Sequence, residues 1–161
     1  MKVRKKDFFN QIELSLSAIS INESLARSLV GTAVSVLDPT VEELADLRCA
    51  VSEAVTNAIV HGYKNGSDAK KGSDAPLVYI SVRLYTDRSV RVEIRDRGVG
   101  IADVKKAREP LFTTDETGER SGMGFAVMEA FTDELRVYSR EGRGTRVVLF
   151  KRFKEENVLA E

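Results

Sequence analysis

The 161-residue sequence has few of the features that mark secreted or membrane proteins. Its single cysteine, Cys49, cannot form a disulfide within the chain, and we interpret it as a small buried apolar residue rather than a reactive thiol. No apolar run approaches the roughly 18–20 residues of a membrane span. Polar residues also interrupt the segment after the basic start, where a signal peptide would need an unbroken apolar stretch. These absences predict a cytoplasmic protein with no membrane partner.

The sequence also lacks an excess of charge of either sign. It contains 25 lysines and arginines and 25 acids, so its net charge is zero. A balanced charge gives no support to broad nucleic-acid binding, and we expect no direct nucleic-acid partner. Any protein partner must then be recognised through local patches. The length and the 42% hydrophobic content fit a single globular domain over residues 1–161.

The periodicity of apolar residues predicts about five strands and three or four helices. Strands are expected at 8–16, 77–85, 89–95, 135–139 and 145–153, and helices at 22–37, 40–62, 102–108 and 122–131. Capping boxes at 20–23 and 40–43 are expected to start two helices, and Gly62 to cap the end of the second. The apolar face of this second helix is expected to comprise Val41, Leu44, Ala45, Val51, Val55, Ala58 and Ile59.

Residues 64–76 are polar and rich in turn formers, which predicts a surface loop. The two predicted hairpins, at 77–95 and 135–153, argue against a parallel sheet, because neighbouring parallel strands need long crossover connections. We therefore predict an α+β fold, a two-layer sandwich of a mostly antiparallel sheet with helices on one face.

Glu53 and Asn57 form the first candidate pair. They lie four residues apart on one face of the second helix. Magnesium bound to a nucleotide takes only one or two protein oxygens, and the amide oxygen of Asn57 suits that role. The carboxylate of Glu53 could accept or orient the proton of an attacking hydroxyl. The alternative is a solvated polar helix face.

Asp96 opens the second candidate motif, the segment Asp96–Ile101 with sequence DRGVGI, which follows a strand. Gly98 and Gly100 permit positive φ and close approach of the backbone to a ligand. A buried carboxylate at the end of a strand can accept a hydrogen bond from the exocyclic amine of adenine, whereas the carbonyl of guanine would meet it lone pair to lone pair. The alternative is an ordinary tight turn.

A polar loop at about 109–122 forms the third motif and ends in a Gly-x-Gly sequence, Gly122 to Gly124, at the start of a helix. Backbone N–H groups at such a start favour phosphate, and Arg120 could reach a terminal phosphate with a forked contact. The length of the loop suggests a lid over a nucleotide. In the last hairpin, Thr145 could bond to Asp96 or a nearby water, although an ordinary hairpin turn fits equally well.

These motifs in this order resemble the GHKL ATPase superfamily, which includes DNA gyrase and histidine kinases. The segments Val51–Tyr63 (VSEAVTNAIVHGY), Pro110–Thr114 (PLFTT) and Glu119–Phe125 (ERSGMGF) resemble the anti-sigma F factors of endospore-forming bacteria. The resemblance runs from Ile12 to about Phe153. It implies the histidine-kinase-like ATPase fold with an ATP lid at about 109–122. The loop at 64–76 is longer than this family leads us to expect.

The resemblance implies an anti-sigma factor that keeps the sporulation sigma factor F from RNA polymerase. It also implies a serine kinase that uses ATP and Mg²⁺ to phosphorylate an anti-anti-sigma partner, and typically a homodimer. By motif position it implies catalytic Glu53 and Arg120, the magnesium ligand Asn57 and the partner-binding residue Arg27. The nucleotide-binding residues would be Asn57, Asp96, Gly98, Gly100, Ile101, Thr113, Thr114, Ser121, Gly122, Met123, Gly124 and Thr145. The strand around 12–16 offers an edge for pairing in a homodimer.

Three other functions compete with this hypothesis. A general-stress anti-sigma-B-type kinase would share the pocket, but the Thr113, Thr114, Arg120 and Ser121 pattern differs from its lid. A catalytic fragment of a histidine kinase is disfavoured because His61, the only histidine, lies at the end of the nucleotide helix and no dimerisation helices precede it. An ATP-holding module without kinase activity would not need Glu53.

Overall fold

The computed structural model describes residues 8–64, 75–110 and 123–155. Five strands form one sheet: β1 (Phe8–Ser17), β2 (Leu77–Tyr85), β3 (Ser89–Arg95), β4 (Glu134–Arg140) and β5 (Gly144–Arg152). Their order is β1-β2-β3-β5-β4, and every neighbouring pair is antiparallel. This confirms the predicted α+β class with an antiparallel sheet.

Helices cover one face of this sheet. They are α1 (Ile21–Val34), α2 (Val41–Asn57), α3 (Val104–Ala107) and α4 (Gly124–Phe131). A short 3₁₀ turn, Ser35–Leu37, extends α1, and a π-helical turn, Ala58–Gly62, extends α2. None of these helices is long and apolar enough to cross a membrane.

The core lies between α1, α2, α4 and the inner face of the sheet. Alternate residues of each strand supply it, because successive side chains point to opposite faces. Val90, Val92 and Ile94 of β3 are buried, whereas the intervening Arg91 and Glu93 lie on the outer face. The described residues of the loop predicted at 64–76 are its ends, Lys64, Ala75 and Pro76.

The second helix begins as the sequence predicts. The Thr40 side chain accepts a hydrogen bond from the Glu43 N–H, and the Glu43 carboxylate accepts one from the Thr40 N–H, which completes the capping box. The predicted apolar face of α2 is partly wrong. Val41 is 88% exposed and Ala45 is exposed, while the buried face uses Leu47, Ala50 and Ala54 with Val51 and Val55.

The capping box predicted at 20–23 is wrong. Ser20 has helical dihedrals (φ −59°, ψ −30°), and its side chain makes no cap hydrogen bond. The Glu23 carboxylate instead accepts a hydrogen bond from the hydroxyl of Ser52 on α2. The contact with α2 therefore uses the Glu23 side chain, which the local sequence pattern predicts to cap the helix.

Candidate active site

Asp96 lies directly after β3 and is 4% exposed. The Gly98 N–H donates to its Oδ1 at 2.8 Å, and the Thr145 N–H donates to the same oxygen at 3.3 Å. Among the described residues no hydrogen bond reaches Oδ2. The backbone thus fixes the carboxylate through one oxygen and leaves the other able to accept from a ligand.

Burial raises the pKa of Asp96 above its ordinary value of 3.8, while the N–H donors of Gly98 and Thr145 act in the opposite direction. An ionised carboxylate in such a place loses hydration that two backbone hydrogen bonds replace only in part. A ligand that donates a hydrogen bond to Oδ2 would supply a further favourable contact. This combination of burial and an unused acceptor is typical of a binding site rather than of a structural turn.

The end of the second helix reaches Asp96 through the π-helical turn. The Tyr63 N–H donates to the Ala58 carbonyl at 3.0 Å, which closes a turn wider than an α-turn. A Cβ at Gly62 would lie 2.9 Å from the Asp96 carboxylate, so no larger residue fits there unless the carboxylate moves. The prediction that Gly62 is a helix C-cap is therefore wrong, since the cap position belongs to Tyr63 and Gly62 lies against Asp96.

The glycines after Asp96 serve backbone packing. A Cβ at Gly98 would lie 1.9 Å from the Gly62 carbonyl oxygen, and the Val99 N–H donates to that oxygen at 2.9 Å. Gly100 has a φ of +74°, and a Cβ there would lie 2.1 Å from the Arg140 carbonyl oxygen. The loop is thus clamped between the end of α2 and the turn of the last hairpin.

Thr145 and Ile101 meet at Ser139. The Ile101 N–H donates to the Ser139 hydroxyl at 2.7 Å, and the Ser139 and Thr145 hydroxyls lie 2.8 Å apart. Thr145 contacts Asp96 as predicted, but through its backbone N–H. Its partner across the strand, Ser139, was not predicted because a lone serine in a strand carries no local signal.

Glu53 and Asn57 face the start of α4. A Cβ on Gly124 would lie 3.1 Å from Glu53 Oε2 and 3.4 Å from both side-chain heteroatoms of Asn57. The bare glycine therefore lets the N-terminal end of α4 approach the pair closely. Met123 is the N-cap residue and provides no side-chain cap, so the positive end of the helix and its N–H groups remain available near Glu53 and Asn57.

Arg27 lies on α1, away from the Asp96 loop in the chain but linked to α2. Its guanidinium lies 3.7 Å from the Glu23 carboxylate, which also accepts from Ser52, the residue before Glu53. The Arg27 side chain is 42% exposed, yet its Nε is buried without an acceptor among the described residues.

Burial, reinforced by repulsion from Glu53 and Asp46, raises the pKa of the neighbouring Cys49 thiol. This partly buried thiol is thus held protonated, as expected for a non-reactive cysteine.

Apart from Arg27, the structure brings together the predicted residues that it describes in two groups. Asp96, Gly98, Gly100, Ile101 and Thr145 form one, and Glu53, Asn57, Met123 and Gly124 form the other. The predicted lid residues Thr113, Thr114, Arg120, Ser121 and Gly122 lie outside the described residues.

The sequence reasoning missed Tyr63 and Gly144. The Tyr63 hydroxyl accepts from the Arg97 N–H and donates to the Leu77 carbonyl, each at 2.7 Å, and so ties the helix end to two strands. Gly144 has a φ of +88°, and a Cβ there would lie 2.2 Å from the Asp96 carbonyl oxygen. The glycine pair in the sequence Gly142-Arg-Gly144 signals the positive φ but not the contact.

The described residues contain no cluster of three or more histidine, cysteine, aspartate or glutamate side chains that could hold a metal ion by itself. Asn57 offers one amide oxygen, and the neighbouring Glu53 offers carboxylate oxygens. This donor set fits Mg²⁺ that arrives with phosphate oxygens and keeps several waters, and it does not fit a metal held by the protein alone.

Comparison with known proteins gives consistent similarities. A family profile described as "Histidine kinase-like ATPase domain" matches residues 20–151. The chain is 48% identical over 150 residues to the anti-sigma F factor of Priestia megaterium, covering 93% of this chain and 97% of the relative. It is 47% identical over 144 residues to the anti-sigma F factor of Clostridium acetobutylicum, covering 89% and 94%.

Among solved structures, the RsbU and RsbW domains of a Mycobacterium tuberculosis protein share the fold. The TM-score is 0.60 at 21% identity, covering 89% of this chain and 32% of the other. A blue-light activated histidine kinase of Erythrobacter litoralis matches with a TM-score of 0.54 at 24% identity, covering 76% and 34%. At these identities the structural likeness concerns the fold alone.

Proposed function

Because the chain belongs to the anti-sigma F factors of the histidine kinase-like ATPase family, we propose that it binds and inhibits the sporulation sigma factor F and phosphorylates a serine of an anti-anti-sigma partner. As a member of that family it is an ATP-dependent protein serine kinase and an anti-sigma factor. The observation that carries the nucleotide assignment is Asp96, buried at a strand end with one oxygen fixed and one unused.

Adenine is proposed to bind at Asp96. Its exocyclic amine would donate to Oδ2, while Gly98 and Thr145 hold Oδ1. Gly62 supports this arrangement because it leaves room for the carboxylate against the helix end. Guanine would place a carbonyl oxygen against Oδ2, so the site should select adenine. Gly100 and Ile101 are proposed to line the same pocket.

The phosphates are proposed to bind between α2 and the start of α4. Gly124 brings the N–H groups of that helix start near Asn57, which would hold Mg²⁺ through its amide oxygen. When bound, Mg²⁺ would neutralise phosphate charge. Met123, Gly122, Ser121, Thr113 and Thr114 are proposed to complete this region.

Glu53 is proposed as the general base. The serine hydroxyl of the partner would attack the γ-phosphorus, the bond from that phosphorus to the β-γ bridging oxygen would break, and Glu53 would accept the hydroxyl proton. Glu53 lies against the N-terminal end of α4, beside the proposed phosphate site. Arg120 is proposed to contact the γ-phosphate from a lid at about 109–122.

Arg27 is proposed to contact the protein partners. Its side chain is 42% exposed, and its guanidinium lies 3.7 Å from the Glu23 carboxylate on α1. We also propose that residues 1–161 form one domain in the cytoplasm, where transcription takes place.

A homodimer is proposed to form through β1. This strand is at the edge of the sheet, pairs only with β2, and leaves its other side without a strand partner among the described residues. Such an edge can add a strand from a second copy. We expect a dimer in sedimentation velocity, with slower hydrogen exchange in β1 as protein concentration rises. A monomer at all concentrations would contradict the dimer but not the kinase.

The kinase is tested with purified chain, radiolabelled Mg-ATP and an anti-anti-sigma protein. We expect phosphoserine from the wild type and at least about a 100-fold lower rate from Glu53→Gln, with ATP affinity retained. Glu129→Gln, an exposed acid on α4, is the matched control and should leave the rate unchanged. Equal transfer by wild type and Glu53→Gln would contradict the proposed base.

The alternatives predict different results in the same assay. An ATP-holding module would bind ATP and transfer nothing to any partner. A general-stress anti-sigma-B-type kinase would prefer the sigma B set of partners. Capture of sigma F rather than sigma B, with ATP present, would support the assignment that we propose.

A further inference from the structure

The outer face of the sheet, opposite the helices, is strongly basic in a chain of zero net charge. The alternate residues of the five strands that point outward include seven arginines and three glutamates, a net charge of +4. The arginines are Arg83, Arg91, Arg95, Arg136, Arg140, Arg146 and Arg152. The glutamates are Glu13, Glu93 and Glu134. The three longer helices α1, α2 and α4 together carry six acids and two arginines, a net charge of −4, whereas the short α3 carries two lysines.

One row across this face is built from arginine and tyrosine. The strand register places Tyr79 opposite Arg95, Arg95 opposite Arg146, and Arg146 opposite Tyr138. The Arg146 guanidinium lies over the Tyr138 ring at 4.4 Å from its centroid. Arg97, just beyond β3, lies over the Tyr79 ring at 4.7 Å. We call these five residues the Arg–Tyr row.

Two direct oppositions of arginines on this face are unfavourable for stability. Arg95 faces Arg146 directly, and Arg83 faces Arg91 in the same way. Like charges directly opposite on neighbouring strands are unfavourable. Among the described residues, four of the seven arginines pair with an acid: Arg91, Arg136, Arg146 and Arg152. Arg83, Arg95 and Arg140 have no acidic partner there. These cations, which the described acids leave unneutralised, indicate a polyanionic ligand.

We infer that the outer sheet face binds single-stranded nucleic acid, with the Arg–Tyr row as its centre. An antiparallel sheet with one open face that carries aromatic side chains can stack unpaired bases, and guanidinium planes can stack them as well. Arginine forks bind phosphate oxygens in pairs. Stacking is tolerant of sequence because every base has a π-face. The three strand spacings from β2 to β4 make the row about 14 Å wide, enough for a few nucleotides.

An acidic protein segment is the competing occupant for the same cations. Peptides usually dock in grooves or along strand edges, whereas this surface is the exposed face of a sheet with aromatic rings between its arginines. The observations therefore favour bases over carboxylates. The inference does not depend on the kinase, because none of these side chains belongs to the proposed nucleotide site. The net charge of zero averages over both faces of the sheet and leaves room for a basic patch on one of them.

The test measures anisotropy of a fluorescein-labelled oligouridine of about 12 nucleotides, with the matching DNA as a second arm. Arg95→Gln with Arg146→Gln should weaken binding about ten-fold. The same double variant should make the slope of log affinity against log salt shallower by about 1.4, at roughly 0.7 per lost cation. The matched control, Lys105→Gln with Lys154→Gln, removes two exposed cations elsewhere and should change neither quantity.

A second pair of variants tests stacking separately from charge. Tyr138→Ala should weaken binding about ten-fold, and Tyr138→Phe, which keeps the ring, should restore it. All variants should keep wild-type kinase activity, which shows that they fold. Three results would overturn the inference: no binding of either oligonucleotide, binding that the arginine variants do not change, or binding of polyglutamate in place of nucleic acid. The last would indicate an acidic protein partner.

Discussion

At the residue scale, Asp96 shows how a binding site differs from a structural turn. A carboxylate that is 4% exposed keeps two backbone donors on one oxygen and none on the other. Burial raises its pKa, so the folded protein bears a free-energy cost for keeping it ionised at neutral pH. An asparagine would fill the same space without that cost.

We therefore predict opposite effects of Asp96→Asn on binding and stability. The amide oxygen can still accept from Gly98 and Thr145, but the amide nitrogen cannot accept from adenine, so ATP affinity should fall by about 1–3 kcal/mol in calorimetry. Because the raised pKa makes ionised Asp96 unfavourable above pH 3.8, the variant should be at least as stable as wild type at pH 7 in urea unfolding. Unchanged ATP affinity would contradict the adenine contact.

The glycines give a second prediction at this scale. Gly98→Ala would place a Cβ 1.9 Å from a backbone oxygen, and we expect a loss of about 3 kcal/mol or more in the free energy of unfolding. Gly142→Ala is the control, because its Cβ meets nothing within 4 Å and only its φ of +71° is unfavourable, at about 1–2 kcal/mol. Similar losses for both variants would mean that backbone strain, rather than the clash with the helix end, determines the loss of stability.

At the element scale, Glu43 joins the start of α2 to the end of β5. One carboxylate oxygen accepts from the Thr40 N–H and the other from the Lys154 N–H at 2.8 Å. Burial by itself would raise the pKa of Glu43, but these hydrogen bonds outweigh it and the pKa is lowered from 4.5. One side chain thus fixes a helix start and a strand exit together.

A lowered pKa means that the stabilisation by Glu43 is present above pH 4.5 and is lost as pH falls through the folded-state value. We predict that Glu43→Gln loses about 1–2 kcal/mol of unfolding free energy at pH 7, and that the difference from wild type shrinks below pH 4.5. Denaturant unfolding at several pH values measures this. Glu42→Gln, exposed in the same turn, is the control and should show a smaller, less pH-dependent effect.

A second prediction concerns the contact between α1 and α2. Ser52→Ala removes the hydroxyl that donates to Glu23 and frees Glu23, which also holds Arg27. We expect weaker binding of the proposed partner proteins and a higher KM for the phosphoacceptor, with ATP affinity retained. Ser52→Thr should restore binding if the hydroxyl is what matters. If Ser52→Ala leaves partner binding unchanged, the hydrogen bond between Ser52 and Glu23 serves only the packing of α1 against α2.

The elements show where sequence reasoning succeeds and fails. The strands follow from alternation, and the capping box at 40–43 forms because both of its partners are local. The box at 20–23 fails because Glu23 has a better partner on another helix, 29 residues away. The role of Gly62 also lies outside a local pattern, since its neighbour Asp96 comes from the end of β3. The site motifs were found because each is a short sequence, whereas Ser139 and Tyr63 act through contacts that spacing does not reveal.

At the scale of the whole molecule, charge is segregated between the two layers. The outward side of the sheet carries a net charge of +4, whereas the four helices together carry −2, with −4 on α1, α2 and α4 and two lysines on α3. The net charge of the sequence does not reveal this segregation. The arginines occupy alternate positions of the strands, and only the pairing of the strands brings them together on one face of the sheet. The fold, rather than the composition, therefore decides which surfaces attract a polyanion.

This segregation predicts a gain in stability when an unpaired cation is removed. Arg95→Thr relieves the direct opposition to Arg146 and should raise the free energy of unfolding by about 0.2–1 kcal/mol at low salt. The gain should diminish in high salt, which screens exposed charges. Arg136→Thr is the control, because Arg136 faces Val148 rather than a cation and its removal costs the ion pair with Glu134. A gain that salt does not alter would assign the effect to strand propensity.

The π-helical turn after Asn57 has a consequence for how this fold can change in length. It holds one residue more than a regular turn, and each helical residue advances the chain by about 100°. Deletion of a single codon within 58–62 would restore an ordinary helix and rotate Gly62 away from the purine carboxylate. Functional relatives of this protein should therefore lack insertions and deletions within the segment equivalent to 58–62, although surface helices usually tolerate them.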